Sequence, residues 1–105
     1  MKFTASTFVD INSKWLELGT FTGTRAQAAK QAMAKIPADF PATELLLNEV
    51  GTDSQAEYVH RIQGKRAVPF VKRWYGKNDE EREFYYNQRV TMQMVHGVLV
   101  VGLPQ

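Results

Sequence analysis

Residues 15–37, WLELGTFTGTRAQAAKQAMAKIP, form the one stretch in which a helix's start, face and stop can all be read, and the other elements are placed outward from it. Thr24 has a side chain suited to capping a helix. Gln27, three residues on, can return a bond to the cap's own N–H, so residues 24–27 spell a capping box. The twelve residues from Arg25 to Ile36 are dense in Ala, Lys, Gln and Met, which are strong helix formers. Pro37 stops the run, because the residue before a proline is pushed out of the α region. Ala26, Ala29, Met33 and Ile36 recur at helical spacing with Ala28 and Ala32 beside them, and an alanine face lets a helix sit close on a sheet.

Upstream, residues 2–11 alternate with period two. Phe3, Ala5, Thr7, Val9 and Ile11 fall on one face, with Lys2, Thr4, Ser6, Phe8 and Asp10 on the other. Asn12, Ser13 and Lys14 offer turn chemistry, and residues 15–22 resume an extended pattern with Leu16 and Leu18 opposite Trp15 and Phe21; a hairpin is expected. Downstream, Pro37 and Pro41 stiffen a connector. Residues 43–50 (TELLLNEV) fit a buried strand or a short helical turn, and the turn cluster at 51–54 favours strand. Residues 56–62 alternate again, placing Tyr58, His60 and Ile62 on one face. Residues 67–75 (AVPFVKRWY) form a further strand, in which Pro69 demands a sheet edge or a bulge. Residues 82–94 alternate as one extended run, and residues 98–101 make a last short apolar segment.

These elements predict an α+β fold. It is a single domain over residues 1–105, a mainly antiparallel sheet of about six strands with one principal helix, about 24–36, on one face, in the order β-β-α-β-β-β-β. A length of 105 residues with 44% hydrophobic and 23% charged residues is ordinary globular composition. The absence of cysteine excludes a disulfide framework and a thiol nucleophile and fits a reducing compartment. No apolar run approaches the length that spans a bilayer, and the first residues lack a signal peptide's apolar core. A cytoplasmic protein without a membrane partner is expected.

The net charge of +2 conceals a strong local bias. Residues 1–60 are net −2, residues 61–78 are net +6 with no acid among them, and residues 79–105 are net −2. The basic segment, RIQGKRAVPFVKRWYGK at 61–77, interleaves Arg61, Lys65, Arg66, Lys72, Arg73 and Lys77 with Phe70, Trp74 and Tyr75. Cations neutralise phosphates with counterion release, and exposed aromatics stack on bases at about 1–3 kcal/mol each. The segment therefore points to nucleic acid, with Arg61, Lys65, Arg66, Lys72, Arg73, Trp74, Tyr75 and Lys77 as the candidate contacts. On a single strand Lys72 and Trp74 share one face and Arg73 and Tyr75 the other, so half the patch can bind unless Pro69 introduces a bulge. The competing account is an edge strand whose cations guard against edge-to-edge pairing.

Other signals are weaker. The glycines at 19 and 23 precede a helix start and Arg25, which suits an anion, but the spacing matches neither a P-loop nor a dinucleotide fingerprint. His60 and His96 lie in no metal-ligand spacing, His60 reads as a partly buried structural residue, and Asp53, Ser54 and His60 make a triad only on paper. The acids at 79–83 lack calcium-loop spacing. Tyr85, Tyr86, Met92 and Met94 offer adaptable interface surface. Residues 25–35, RAQAAKQAMAK, are similar to the Ala/Lys-rich closing helix of double-stranded-RNA-binding domains. In that family the helix follows three strands, whereas here it precedes most of them, so the likeness is one of helix propensity and no family is assigned.

The sequence thus supports a non-enzymatic module without cofactor or metal that binds nucleic acid through residues 61–77. The alternative is a protein-interaction module, an adaptor or inhibitor of a larger complex or a homodimer, that presents a sheet face or edge. An enzyme would need a convergent pocket of perturbed acids and bases.

Overall fold

The computed structural model describes residues 1–9, 14–51, 56–75, 81–86 and 91–102. The chain runs β1 (Lys2–Val9), β2 (Lys14–Thr22), α1 (Arg25–Met33), β3 (Glu44–Val50), β4 (Ala56–Gln63), β5 (Arg66–Tyr75), β6 (Glu81–Tyr85), β7 (Thr91–Val95) and β8 (Val98–Gly102). All eight strands join one antiparallel sheet in the order β2-β1-β3-β4-β5-β6-β7-β8. The expected α+β architecture and order are present, with two strands more than the expected six. The alternating run at 82–94 divides into β6 and β7, and the short apolar segment after Gly97 pairs as β8. Residues 43–50 contribute a strand, not a helical turn.

The helix forms where its signals placed it. The Thr24 side chain accepts from the Gln27 amide at 3.2 Å, and the Gln27 side chain accepts from the Thr24 amide at 2.9 Å. Gly23 before the cap has φ +119°, which favours glycine, and a Cβ there would come 2.5 Å from Gln27 Oε1 and push aside the side chain that completes the capping box. Beyond Ala34 the chain tightens into i→i−3 bonds, Lys35 N–H to the Ala32 carbonyl and Ile36 N–H to that of Met33, so regular helix ends before Pro37. Thr24→Ala should destabilise the fold by about 1 kcal/mol. An unchanged urea midpoint would show that the cap contributes nothing.

Helix α1 buries Ala28, Ala29 and Ala32 against the half of the sheet built from β1, β2, β3 and β5. Phe3, Ala5, Phe21, Leu45, Leu47, Ala56 and Tyr58 complete the core between helix and sheet, with Leu18, Ile62 and Trp74 packed on it. Two register shifts shape the sheet. Ala5 pairs with Gly19 and Ser6 with Glu17, so Leu18 is an extra residue in β2. This corrects the expected opposition of Leu18 and Phe21: both reach the core, while Trp15 remains 54% exposed. In the second, Val59 pairs with Val71 and His60 with Pro69, which makes Phe70 the extra residue. Pro69 thus sits at a bulge. Of the two expectations for residues 67–75 the bulge is present, and the edge reading fails for residues 71–75, where β5 lies between β4 and β6. Residues 71–75 are paired on both sides, so Lys72 and Arg73 guard no edge and need another account.

Candidate nucleic-acid interface

Alternation along β4 and β5 sorts the basic segment onto two faces. Ala56, Tyr58, His60 and Ile62 point to the helix side, and their partners Trp74, Lys72, Pro69 and Ala67 follow them. Glu57, Val59 and Arg61 point to the opposite side, here the open side because α1 does not cover it, with Arg73, Val71 and Val68, although Val59 and Val71 are themselves buried there.

On the open side the cations are already engaged. Arg73 Nε donates to Glu83 at 2.8 Å, and its Nη1 lies 3.5 Å from Glu57. The Tyr85 hydroxyl also donates to Glu83, at 2.5 Å. That hydroxyl and then Arg73 hold the Glu83 carboxyl below its ordinary range, and the same bond pushes the Tyr85 hydroxyl up. The bulge turns Phe70 to this side, where it meets Tyr85 edge-on at 6.4 Å and the Arg61 guanidinium lies 3.9 Å above its ring. Arg61 is exposed, yet its register partner in β3 is Glu44. An incoming phosphate would compete with Glu57 and Glu83 for Arg73.

On the helix side the cations lie among rings. Lys72 Nζ sits 5.1 Å from the Tyr58 ring and 5.0 Å from that of Trp74, each contact worth about 0.5–1 kcal/mol. Trp74 is half-buried against the core, so one of its faces is already used. Phe84, the β6 partner of Lys72, meets Tyr86 edge-on at 5.0 Å. Burial pushes the Tyr86 hydroxyl up from its ordinary value, with Tyr58 acting in the same direction and Arg25 against it. Tyr85 and Tyr86 therefore occupy opposite faces, each half-buried.

Lys65 and Arg66, at the turn between β4 and β5, reach a place that the sequence did not foresee. With Arg25 and Lys30 of α1 they line an open cleft of about 850 Å³ between the helix and the β4–β5 hairpin. Its floor is apolar, formed by Ala29, Met33, Ile36, Ile62 and Ala67, and Phe40 of the connector closes one wall. No Asp or Glu lines it. Phe40 is held by a bond from its amide to the Pro37 carbonyl, and Ala42 bonds back to Phe40, which sets the connector as a wall. The two prolines that read as mere stiffening thus place an aromatic ring in the lining of the cleft that four cations share.

His60 anchors this side. It is fully buried, deeper than the partly buried position expected. Nδ1 lies 3.3 Å from the Leu45 carbonyl, to which it donates, leaving Nε2 to accept from Arg25 Nη1 at 2.6 Å. Burial first and the Arg25 charge second lower its pKa from 6.5 to about 4. The ring is therefore neutral at pH 7 and fixes the guanidinium at the cleft's mouth.

The structure brings Lys65 and Arg66 together at the cleft and leaves Lys72 and Trp74 on the same side of the sheet, whereas Arg61 and Arg73 face the other way. The Tyr75 side chain and Lys77 lie outside the described residues, as do Asp53, Ser54, Asp79, Glu80 and the Met92 side chain. Among the described residues no group of three or more His, Asp or Glu side chains is arranged to hold a metal. No helix among them is long and apolar enough to cross a membrane. No family model, curated protein or solved structure matches the chain.

Proposed function

We propose that the protein is a small non-enzymatic binding module that holds nucleic acid on the helix side of its sheet. The observation that supports this reading is the cleft, where Arg25, Lys30, Lys65 and Arg66 gather with no carboxylate among the lining residues. Such a concave cationic surface focuses potential and attracts a polyanion. Lys72 and Phe84 lie on the same side of the sheet as the cleft. Phosphates would meet the four cations, with Lys72 a further cation on the same side of the sheet. Arg73 contributes little, since its charge is met by Glu57 and Glu83.

A second reading rests on Trp15. Its indole stacks on Phe8 at 5.4 Å and 7° on the outermost strand β2 and is 54% exposed. Exposed aromatic residues of this kind are enriched at protein interfaces. This surface would present the protein to a larger complex or to a second copy.

Salt separates the two. In a fluorescence-anisotropy titration with labelled oligonucleotides, binding through about four phosphate contacts should weaken with log salt at about −0.7 per contact on single strands. Lys65→Glu/Arg66→Glu should weaken it strongly, while Arg73→Gln leaves it near wild type. An apolar contact through Trp15 would be nearly indifferent to salt. No binding by folded wild type at low salt would overturn the nucleic-acid reading.

A further inference from the structure

The cleft has a feature that phosphate contacts leave unexplained. Its floor is apolar and concave, and its cations stand at the margin. A duplex presents phosphates outward and keeps its base faces stacked inside, so it could touch the margin but never fill the floor. An unpaired strand offers both groups at once, a charged backbone and a flat apolar ring. Nor does the fold offer a reading element for a duplex groove: the nine residues of α1 lie flat on the sheet with their alanine face buried. Phe40 supplies the aromatic wall on which a base can stack, and Met33 and Ile62 supply the floor.

Resting on the nucleic-acid reading above, we infer that the cleft between α1 and the β4–β5 hairpin is a base pocket, which makes the ligand single-stranded nucleic acid. The base enters between Phe40 and Ala67, and Lys30, Lys65 and Arg66 hold the flanking phosphates. Recognition of this kind is tolerant of base identity, because every base has a π-face.

The test compares a labelled thymidine oligonucleotide with a duplex of equal length, using wild type, Phe40→Ala, Ala67→Trp and Lys65→Glu/Arg66→Glu, each checked for folding by circular dichroism. Phe40→Ala removes the wall and Ala67→Trp fills the floor, so one remains informative if the other fails to fold. Wild type should prefer the single strand by about tenfold or more, and each cleft variant should erase that preference while leaving duplex binding unchanged. The double charge reversal should weaken both ligands. Equal affinity of wild type for strand and duplex, or an unaltered preference in the folded cleft variants, overturns the base pocket while leaving nucleic-acid binding intact. Binding of neither ligand by folded wild type removes both.

Discussion

Lowering the pH from 6.5 to 4 should cost the fold about 3 kcal/mol through His60 alone. The buried ring titrates at about 4 in the folded protein against 6.5 when the chain is unfolded. Between these values the unfolded state binds the proton and the folded state does not, so stability rises with pH across the window. The contribution is complete above pH 6.5, is lost progressively as pH falls, and changes no further below about 4. The groups facing the ring are Arg25 from the helix, the Leu45 carbonyl from β3 and the Tyr58 backbone from its own strand. A proton on Nε2 would be set against the Arg25 guanidinium 2.6 Å away and would also displace its bond. Glu83, whose pKa is lowered, acts in the same direction at still lower pH, since its stabilisation fades as pH falls below the ordinary carboxylate range. Urea denaturation at pH 7, 5.5 and 4.5 should show the loss in wild type and little of it in His60→Leu. Parallel pH profiles for the two proteins would show that His60 is not the titrating group.

The largest single loss is expected from Phe3→Ala, about 3–5 kcal/mol. Phe3 is fully buried, meets Tyr58 edge-on at 5.9 Å, and lies in β1, which joins β2 to β3 beneath the helix. A domain of this size is commonly stable by only about 5–15 kcal/mol, so the variant would retain little margin. Phe3→Leu keeps most of the volume and should cost less than about 1.5 kcal/mol. The comparison isolates ring volume from position: equal denaturation midpoints for the two variants would mean that the site collapses around the gap.

The helix was legible because capping, propensity and a stopping proline all agree within residues 24–37. The strands were legible in kind but not in number. A run such as REFYYNQRVTMQM alternates without interruption, and period two alone cannot mark where a chain turns back. The bulges at Leu18 and Phe70 were invisible for a related reason: one extra residue reverses the face of everything beyond it, and no residue type announces it reliably. Pro69 was the exception, since its missing N–H required some irregularity. The candidate site was legible only in part, because sequence adjacency groups Lys72 with Arg73 while pleating sends them to opposite faces. Arg25, Lys30 and Phe40 join Lys65 and Arg66 only through tertiary packing. The signal that could have found them was an aromatic residue between two prolines, held in a stiff connector beside a helix with lysine on its outer face.

The bulge in β2 has a bearing on how the sheet ends. That strand forms one margin of the sheet, and an unbroken margin is a template on which further chains add and fibrils grow. At Leu18 and Gly19 the ladder loses step, with Gly19 at φ +116°. Lys14 and Glu17 carry charges along the same strand. A second chain adding in register would meet the break after a few residues. The irregularity that turns Leu18 into the core therefore also interrupts the margin on which a further strand would add, so one extra residue shapes both the core and the sheet's edge.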